Sequence, residues 1–295
     1  MREDIGRTIR QIRTDKVILA KDLCQNILTP QQLSNIENGK QTTSSENFIL
    51  LLSGLNMKYD EFIYLMDNEY LNSKITIEKE LSEYVKRQNL DGLIELAKTA
   101  SDLFVKYGDV YFEHIKSMSL AMAHFYQTNF EYQIASEHLT PIEEYLAKVQ
   151  KFSYYEITLT GQCLFMFNIE MVISFGEKAL NALETRYSLY KNKGDNCVLL
   201  TNMSICCLDY KEYWHLALKY SQLSINAAAT SNDATRAIHA QIIHQVACFK
   251  LKNGLFDKRY LRALIQTFKL IKWENEYKQV IKFIKNHGIS IESLS

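Results

Sequence analysis

The sequence predicts an all-α protein: a bundle of short helices at the N-terminus, then a long run of paired helices. Three observations carry this. Two prolines and ten glycines in 295 residues are too few to punctuate a chain of short strands and turns. No stretch sustains an alternating pattern rich in β-branched residues, and apolar residues recur at spacings of three and four. The composition, 47% hydrophobic and 23% charged, is that of an ordinary soluble protein.

In residues 1–66, Ile5, Ile9 and Ile12 give a first amphipathic helix from about Asp4 to Thr14. Arg7, Arg10 and Arg13 recur every three residues along one flank of it. Ala20, Leu23, Cys24 and Ile27 suit a second helix, with small Cys24 where a neighbour must approach closely. The third lies in "LTPQQLSNIENGK", where Thr29 can cap, Pro30 suits the first helical position and Gly39 can end the helix. That helix has little to bury, Leu33 and Ile36, and turns a row of amides outward. Ser45–Leu55 and Tyr59–Met66 complete five helices with their own core.

The polar stretch "DNEYLNSK", residues 67–74, reads as a linker. Beyond it, residues 75–295 read as longer helices with short breaks, at about 75–89, 91–107, 109–128, 140–151, 153–167, 169–185, 196–210, 213–230, 233–252, 257–271 and 274–287. Paired helices joined by short turns suggest a helical-repeat superhelix. Thr201–Ala227 resembles a tetratricopeptide unit, and His244–Phe256 resembles the first helix and turn of the next.

Lys and Arg balance Asp and Glu at 34 each, and residues 1–66 carry eight of each sign. That balance weighs against nucleic-acid binding in bulk, but positive charge concentrates locally along the first helix. A second concentration, ten Lys/Arg against three acidic residues between Lys250 and Lys285, reads as a solvated helical surface. None of the six cysteines forms a C-x-x-C pair, and no Cys/His spacing suits zinc. With no apolar leader and no run of about 18 apolar residues, a cytoplasmic protein with reduced thiols is expected. Adjacent Cys206 and Cys207 suit buried packing better than redox sensing.

Two sites stand out. In a helix-turn-helix, one helix braces across the DNA backbone while the next offers its N-terminal residues to base edges. Gln31, Gln32 and Asn35 occupy the first two turns of the third helix, and Gln and Asn can pair with adenine N6 and N7. Thr29, Ser34 and Lys40 are placed to hold phosphates. The opposing reading is an ordinary polar helix on a small domain. Taken in order, the arginine-bearing first helix, "DLC", "TPQQLSNIENGK", an apolar fourth helix and "DEFIYL" resemble the phage-repressor-like helix-turn-helix domain over residues 4–66. The resemblance implies that the base-reading positions fall on Pro30, Gln31 and Asn35, with Gln32 nearby.

The second site belongs to the repeats. "YYEITLTGQCLFMFNIEMVI", Tyr154–Ile173, and the helices after it resemble the C-terminal region of the Rgg/MutR group of Gram-positive regulators. The resemblance implies a quorum-sensing type of transcription regulator: a cytoplasmic homodimer that binds paired DNA half-sites and a short hydrophobic signalling peptide. Some relatives carry an inter-subunit cysteine bridge where this chain has Ser45, so no such bridge is expected. Independently, a concave helical stack can bury apolar side chains while amides pair with a peptide backbone. Asn202 sits near the inward-facing position of a repeat's first helix, with Cys206 one turn on and Gln245 equivalent in the next repeat. Gln162 is the amide of the preceding "LTGQCLF", and Phe165, Tyr210 and Ile243 are candidate apolar walls.

Nothing in the sequence carries catalysis. Seven scattered histidines, no H-E-x-x-H, no phosphate-binding glycine loop and no G-x-S-x-G leave no chemistry to assign. No enzyme activity, metal or cofactor is expected. The competing readings are a helical-repeat interaction scaffold and a ligand-independent dimeric repressor.

Overall fold

The buried faces of the first five helices meet in one small core, and side-chain caps at Thr29 and Ser44 start the third and fourth. In the computed structural model these are α1 (Arg2–Asp15), α2 (Ala20–Leu23), α3 (Pro30–Glu37), α4 (Ser45–Gly54) and α5 (Tyr59–Leu65). The structure describes residues 2–66, 68–128, 137–186, 195–231, 233–252 and 254–290. Ile9, Ile12, Leu23, Leu33, Ile36, Leu51, Leu55, Phe62 and Met66 make the core, with Phe48 edge-on to Phe62 at 5.2 Å. The second helix is shorter than its apolar spacing suggests. Asn26 takes a left-handed φ of 64° and breaks it, a conformation an Asn side chain tolerates better than most.

Gly6 shows why α1 and α3 can touch. A Cβ at this position would stand 2.0 Å from the Ile36 carbonyl oxygen, so backbone meets backbone here and no side chain fits.

The stretch expected as a linker is helical from Glu69 onward. Asn68 caps α6 (Glu69–Arg87) by accepting from the Leu71 N–H at 3.0 Å, and Leu71 and Ile75 rest on the first core. Packing, which a polar composition conceals, extends the helix across the expected boundary. Next come α7 (Leu90–Tyr107), ended by Gly108 at φ 65°, and α8 (Val110–Gln127). The chain divides into two compact units, Met1–Ser119 and Leu120–Ser295.

The second unit continues with α9 (Thr140–Lys148), α10 (Tyr154–Cys163), a 3-10 turn at Leu164–Met166, and α11 (Ile169–Thr185). Then follow α12 (Asp195–Leu208), α13 (Trp214–Ser231), α14 (Ala234–Leu251), α15 (Lys258–Leu270) and α16 (Glu274–Asn286). From α9 on, most helix ends fall within a residue or two of the expected ones. The described residues contain no strand, and none of their helices is long and apolar enough to cross a membrane.

Small residues let the repeat helices approach. A Cβ on Gly176 would meet Met203 at 2.6 Å, and Ala179, Ala217, Ala228, Ala240 and Ala247 are all buried. Two buried serine hydroxyls here are paired, that of Ser204 donating to the Ala217 carbonyl at 2.7 Å and that of Ser224 to the Cys197 carbonyl at 3.0 Å. All six cysteines are buried free thiols. Burial pushes Cys207 up to about 12 and raises Cys206 further, which leaves the adjacent pair poor in thiolate.

Candidate functional site

Helix α3 is held at both ends and along one face, which fixes what its other face presents. At its N-terminus Thr29 Oγ1 accepts from the Gln32 N–H at 3.2 Å, and Gln32 Oε1 accepts from the Thr29 N–H at 2.8 Å. At its C-terminus Gly39, φ 70°, donates to the Ile36 carbonyl at 2.9 Å, and the Lys40 N–H to the Asn35 carbonyl at 2.8 Å. Leu33, Ile36 and Glu37 are buried on the inner side.

On the outer side, Pro30, Gln31, Ser34 and Lys40 are exposed and Asn35 is half-buried. Gln31 Nε2 donates to Asn35 Oδ1 at 3.3 Å, so the two amides stand one turn apart on a single face. Gln32 is exposed as well, but its side chain turns back into the capping pair. It is therefore a cap for α3, and its amide oxygen is not offered outward.

The three arginines do not act as one flank. Arg7 is exposed and bonded to Asp4 at 3.1 Å. Arg10 is exposed, and its Nη1 donates to Asn38 Oδ1 at 3.2 Å, at the end of α3. Arg13, grouped in sequence with Arg7 and Arg10, is committed inside the domain instead. Its Nε and Nη2 donate to both Glu37 oxygens at 2.7 and 3.0 Å, and its Nη1 to the Ile18 carbonyl at 3.0 Å. Hydrogen bonding to Glu37 raises the guanidinium above its already high ordinary value. This is an internal link between α1 and α3. Glu37 and Asn38, the two partners, were legible only as part of "IENGK".

In the second unit, the expected peptide residues separate into three groups. Phe165, Cys206 and Tyr210 come together with Phe167, Ile169, Val172 and Asp209 around a shallow, solvent-open cleft. Its enclosed space is about 10 Å³, roughly that of one water, so these side chains largely fill the cleft themselves. Asn202, half-buried, lies one turn before Cys206 on α12, and Gln162 is exposed on α10. Ile243 and Gln245 are interior instead. Ile243 is 4% exposed, and Gln245 Oε1 accepts from the Asp257 N–H at 2.7 Å, tying α14 to the start of α15. That bond is a second correction, because it commits the Gln245 amide to the fold. Sequence reasoning missed Asp209, although it follows Cys206 by three residues and so shares its side of the chain.

No group of three or more His, Cys, Asp or Glu among the described residues is placed to hold a metal ion.

A sequence profile of the family described as "HTH-type transcriptional regulator Rgg, C-terminal domain" matches residues 93–282. Solved structures share the fold along nearly the full chain. The SHP pheromone receptor Rgg2 of Streptococcus dysgalactiae, in a variant form, is 20% identical, with a TM-score of 0.74 over 96% of this chain and 98% of that one. A transcriptional regulator of Listeria monocytogenes is 20% identical, with a TM-score of 0.73 over 98% and 100%. PlcR of Bacillus thuringiensis, solved with the peptide PapR7 and DNA, is 14% identical, with a TM-score of 0.68 over 95% and 99%.

Proposed function

The chain belongs to the Rgg family of helix-turn-helix transcriptional regulators, and on that premise we propose that residues 1–66 read duplex DNA under control of a short apolar peptide. The peptide binds the repeat helices of residues 75–295. The observation that carries the DNA reading is the exposed face of α3, where Gln31 and Asn35 stand free of the core while Leu33, Ile36 and Glu37 anchor the opposite side. Gln31 and Asn35 meet base edges, and Pro30 packs beside them. Thr29, Ser34, Lys40, Arg7 and Arg10 face phosphates. The protein works in the cytoplasm as a homodimer on paired half-sites.

The peptide reading is supported by Phe165, Cys206 and Tyr210 lining one shallow surface cleft, with Asn202 and Gln162 as amide donors for a peptide backbone. Peptide binding switches transcription only through unequal affinity for two arrangements of the DNA-reading heads. The neighbours named above, a pheromone receptor and a regulator solved with peptide and DNA, support this reading.

The test is a mobility shift on duplexes selected by this protein from a random pool. Asn35→Ala weakens selected sites by about 10- to 100-fold, the worth of one paired amide contact, and leaves random duplex nearly unchanged. Lys40→Ala weakens both alike and lowers the salt slope by about one. Equal losses on both duplexes from the two variants would remove the assignment.

A further inference from the structure

At the far end of α11 from the Phe165 cleft, an open cavity of about 310 Å³ gathers positive charge. At about 1.5 Å per residue, Asn181 at this end stands about 18 Å along the helix from Ile169 at the other. Lys151, Lys178 and Arg186 line the cavity with the amides of Gln150 and Asn181 and the Phe152 ring, and no Asp or Glu lines it. Its volume reaches the lower end of the range of small-molecule sites.

Helix capping accounts for part of this charge. The C-terminal ends of α9 and α11 both meet here, and their unpaired carbonyls favour cations. Half-buried Lys178 donates from Nζ to the Leu146 and Val149 carbonyls, each at 3.3 Å, and stands over the Phe152 and Phe175 rings at 5.4 and 5.9 Å. Arg186 spends an Nη1 N–H on the Phe152 carbonyl at 3.2 Å, which leaves most of its donor fork open. Lys151 makes no hydrogen bond or ion pair among the described residues.

These roles leave charge over. Two helix ends carry about −0.5 charge each, or about −1 together, against three positive side chains. Glu156, a little beyond Phe152 in the chain, is no counterion. Its oxygens accept from the Tyr145 hydroxyl and from the Ser153 N–H and hydroxyl, and it bridges none of the three cations. Residues 187–194, which follow Arg186 in the sequence, contain no Asp or Glu. About two positive charges therefore face the cavity with no counterion among the described residues, in a space wide enough for a ligand.

We infer that this cavity binds a phosphate group, as inorganic phosphate or as the monoester of a small molecule. Such a group carries about −1.5 to −2 charge at neutral pH, which matches the excess. Arg186 engages two phosphate oxygens through its planar fork, and Lys151 adds a point charge from the rim. The N–H that Lys178 does not spend on α9 reaches a third oxygen. Gln150 and Asn181 donate to hydroxyls of the body that the phosphate carries. The site is separate from the proposed peptide cleft and does not depend on it.

The experiment titrates the full chain into inorganic phosphate, glycerol phosphate and AMP, read by phosphorus NMR line broadening, with chloride holding ionic strength constant. At least one probe should bind saturably. Arg186→Gln should weaken that binding about tenfold and Lys151→Gln about threefold, whereas Lys151→Arg should retain it. Lys148→Gln, which removes the same charge from the neighbouring turn of α9 outside the cavity, should leave it unchanged. Urea midpoints of these variants should match the parent, since the replaced Lys151 and Arg186 side chains are exposed. Equal binding of all three probes identifies the bare anion as sufficient; tighter binding of an ester shows that Gln150 and Asn181 read what the phosphate carries. No saturable binding of any probe, or an equal loss from Lys148→Gln and Lys151→Gln, overturns the inference.

Discussion

Replacing Arg13 separates a structural role from a DNA-contacting one. Its guanidinium makes three hydrogen bonds, two to Glu37 and one to the Ile18 carbonyl, and the two side chains are only 17% and 7% exposed. Arg13→Gln leaves the Glu37 carboxylate buried without a partner. Breaking a buried pair by removing one member costs about 3–5 kcal/mol, and the wetter arginine side lowers that here to about 2–4 kcal/mol. At about 1.4 kcal/mol per factor of ten, amides of α1 and α3 should exchange with solvent about 30- to 1,000-fold faster in native-state hydrogen exchange. The pair Arg13→Met with Glu37→Leu removes both charges and should recover all but about 1 kcal/mol. A phosphate contact would behave differently, since surface substitutions usually stay within about 0.5 kcal/mol. If Arg13→Gln changes exchange less than threefold and instead flattens the salt dependence of DNA binding, the internal link is refuted.

Gly6→Ala should disable the first unit selectively. Its methyl would overlap the Ile36 carbonyl oxygen at 2.0 Å, so α1 must move off α3, which costs at least about 1–3 kcal/mol. DNA shifts should be lost while the exchange protection of α12–α14 is kept; retained DNA binding would contradict the close approach. Acid should weaken the second unit through His287, which burial holds down to about 4. The unfolded chain takes up this proton near pH 6.5 and the folded chain only near 4, so stability is full above 6.5 and falls as pH drops through that window. The loss approaches roughly 3 kcal/mol. His138 and His244 are lowered too, also chiefly by desolvation, and add to the same slope. Urea midpoints of His287→Gln across pH 4–7 should show a shallower slope, and an unchanged one would place the acid sensitivity elsewhere.

Local patterns carried most of the helices because the information is local. Thr29, Pro30 and Gly39 mark both ends of α3 by their own backbone preferences, and the structure uses all three in those positions. Errors arose where a residue's partner is distant. A spacing of three placed Arg13 with Arg7 and Arg10, but Glu37 lies 24 residues away and the packing of α1 on α3, with its close approach at Gly6, brings it near. Gln245 looked inward-facing by repeat position, yet the Asp257 N–H claims it from the following helix. Gln32 is a different case. Thr29-x-x-Gln32 is a capping pair readable from sequence alone, and its amide was assigned to bases because reading and capping ask for the same chemistry.

These corrections change how much one DNA-reading head can do alone. With Gln32 committed to its cap and Pro30 lacking a side-chain donor, the proposed reading leaves Gln31 and Asn35, joined to each other at 3.3 Å, as the amides of α3 turned toward base edges. At about 1–3 kcal/mol of discrimination per paired contact, two such residues supply about 2–6 kcal/mol. Specific sites commonly exceed random DNA by about 4–10 kcal/mol. One head therefore reaches only the lower part of that range, whereas two heads on paired half-sites double the sum and span it. The same arithmetic makes the spacing of the heads a control point. A ligand that moves one head out of register forfeits half of the discrimination without touching any base-contacting residue, and the remaining contacts to phosphate keep the protein on DNA in a non-selective form.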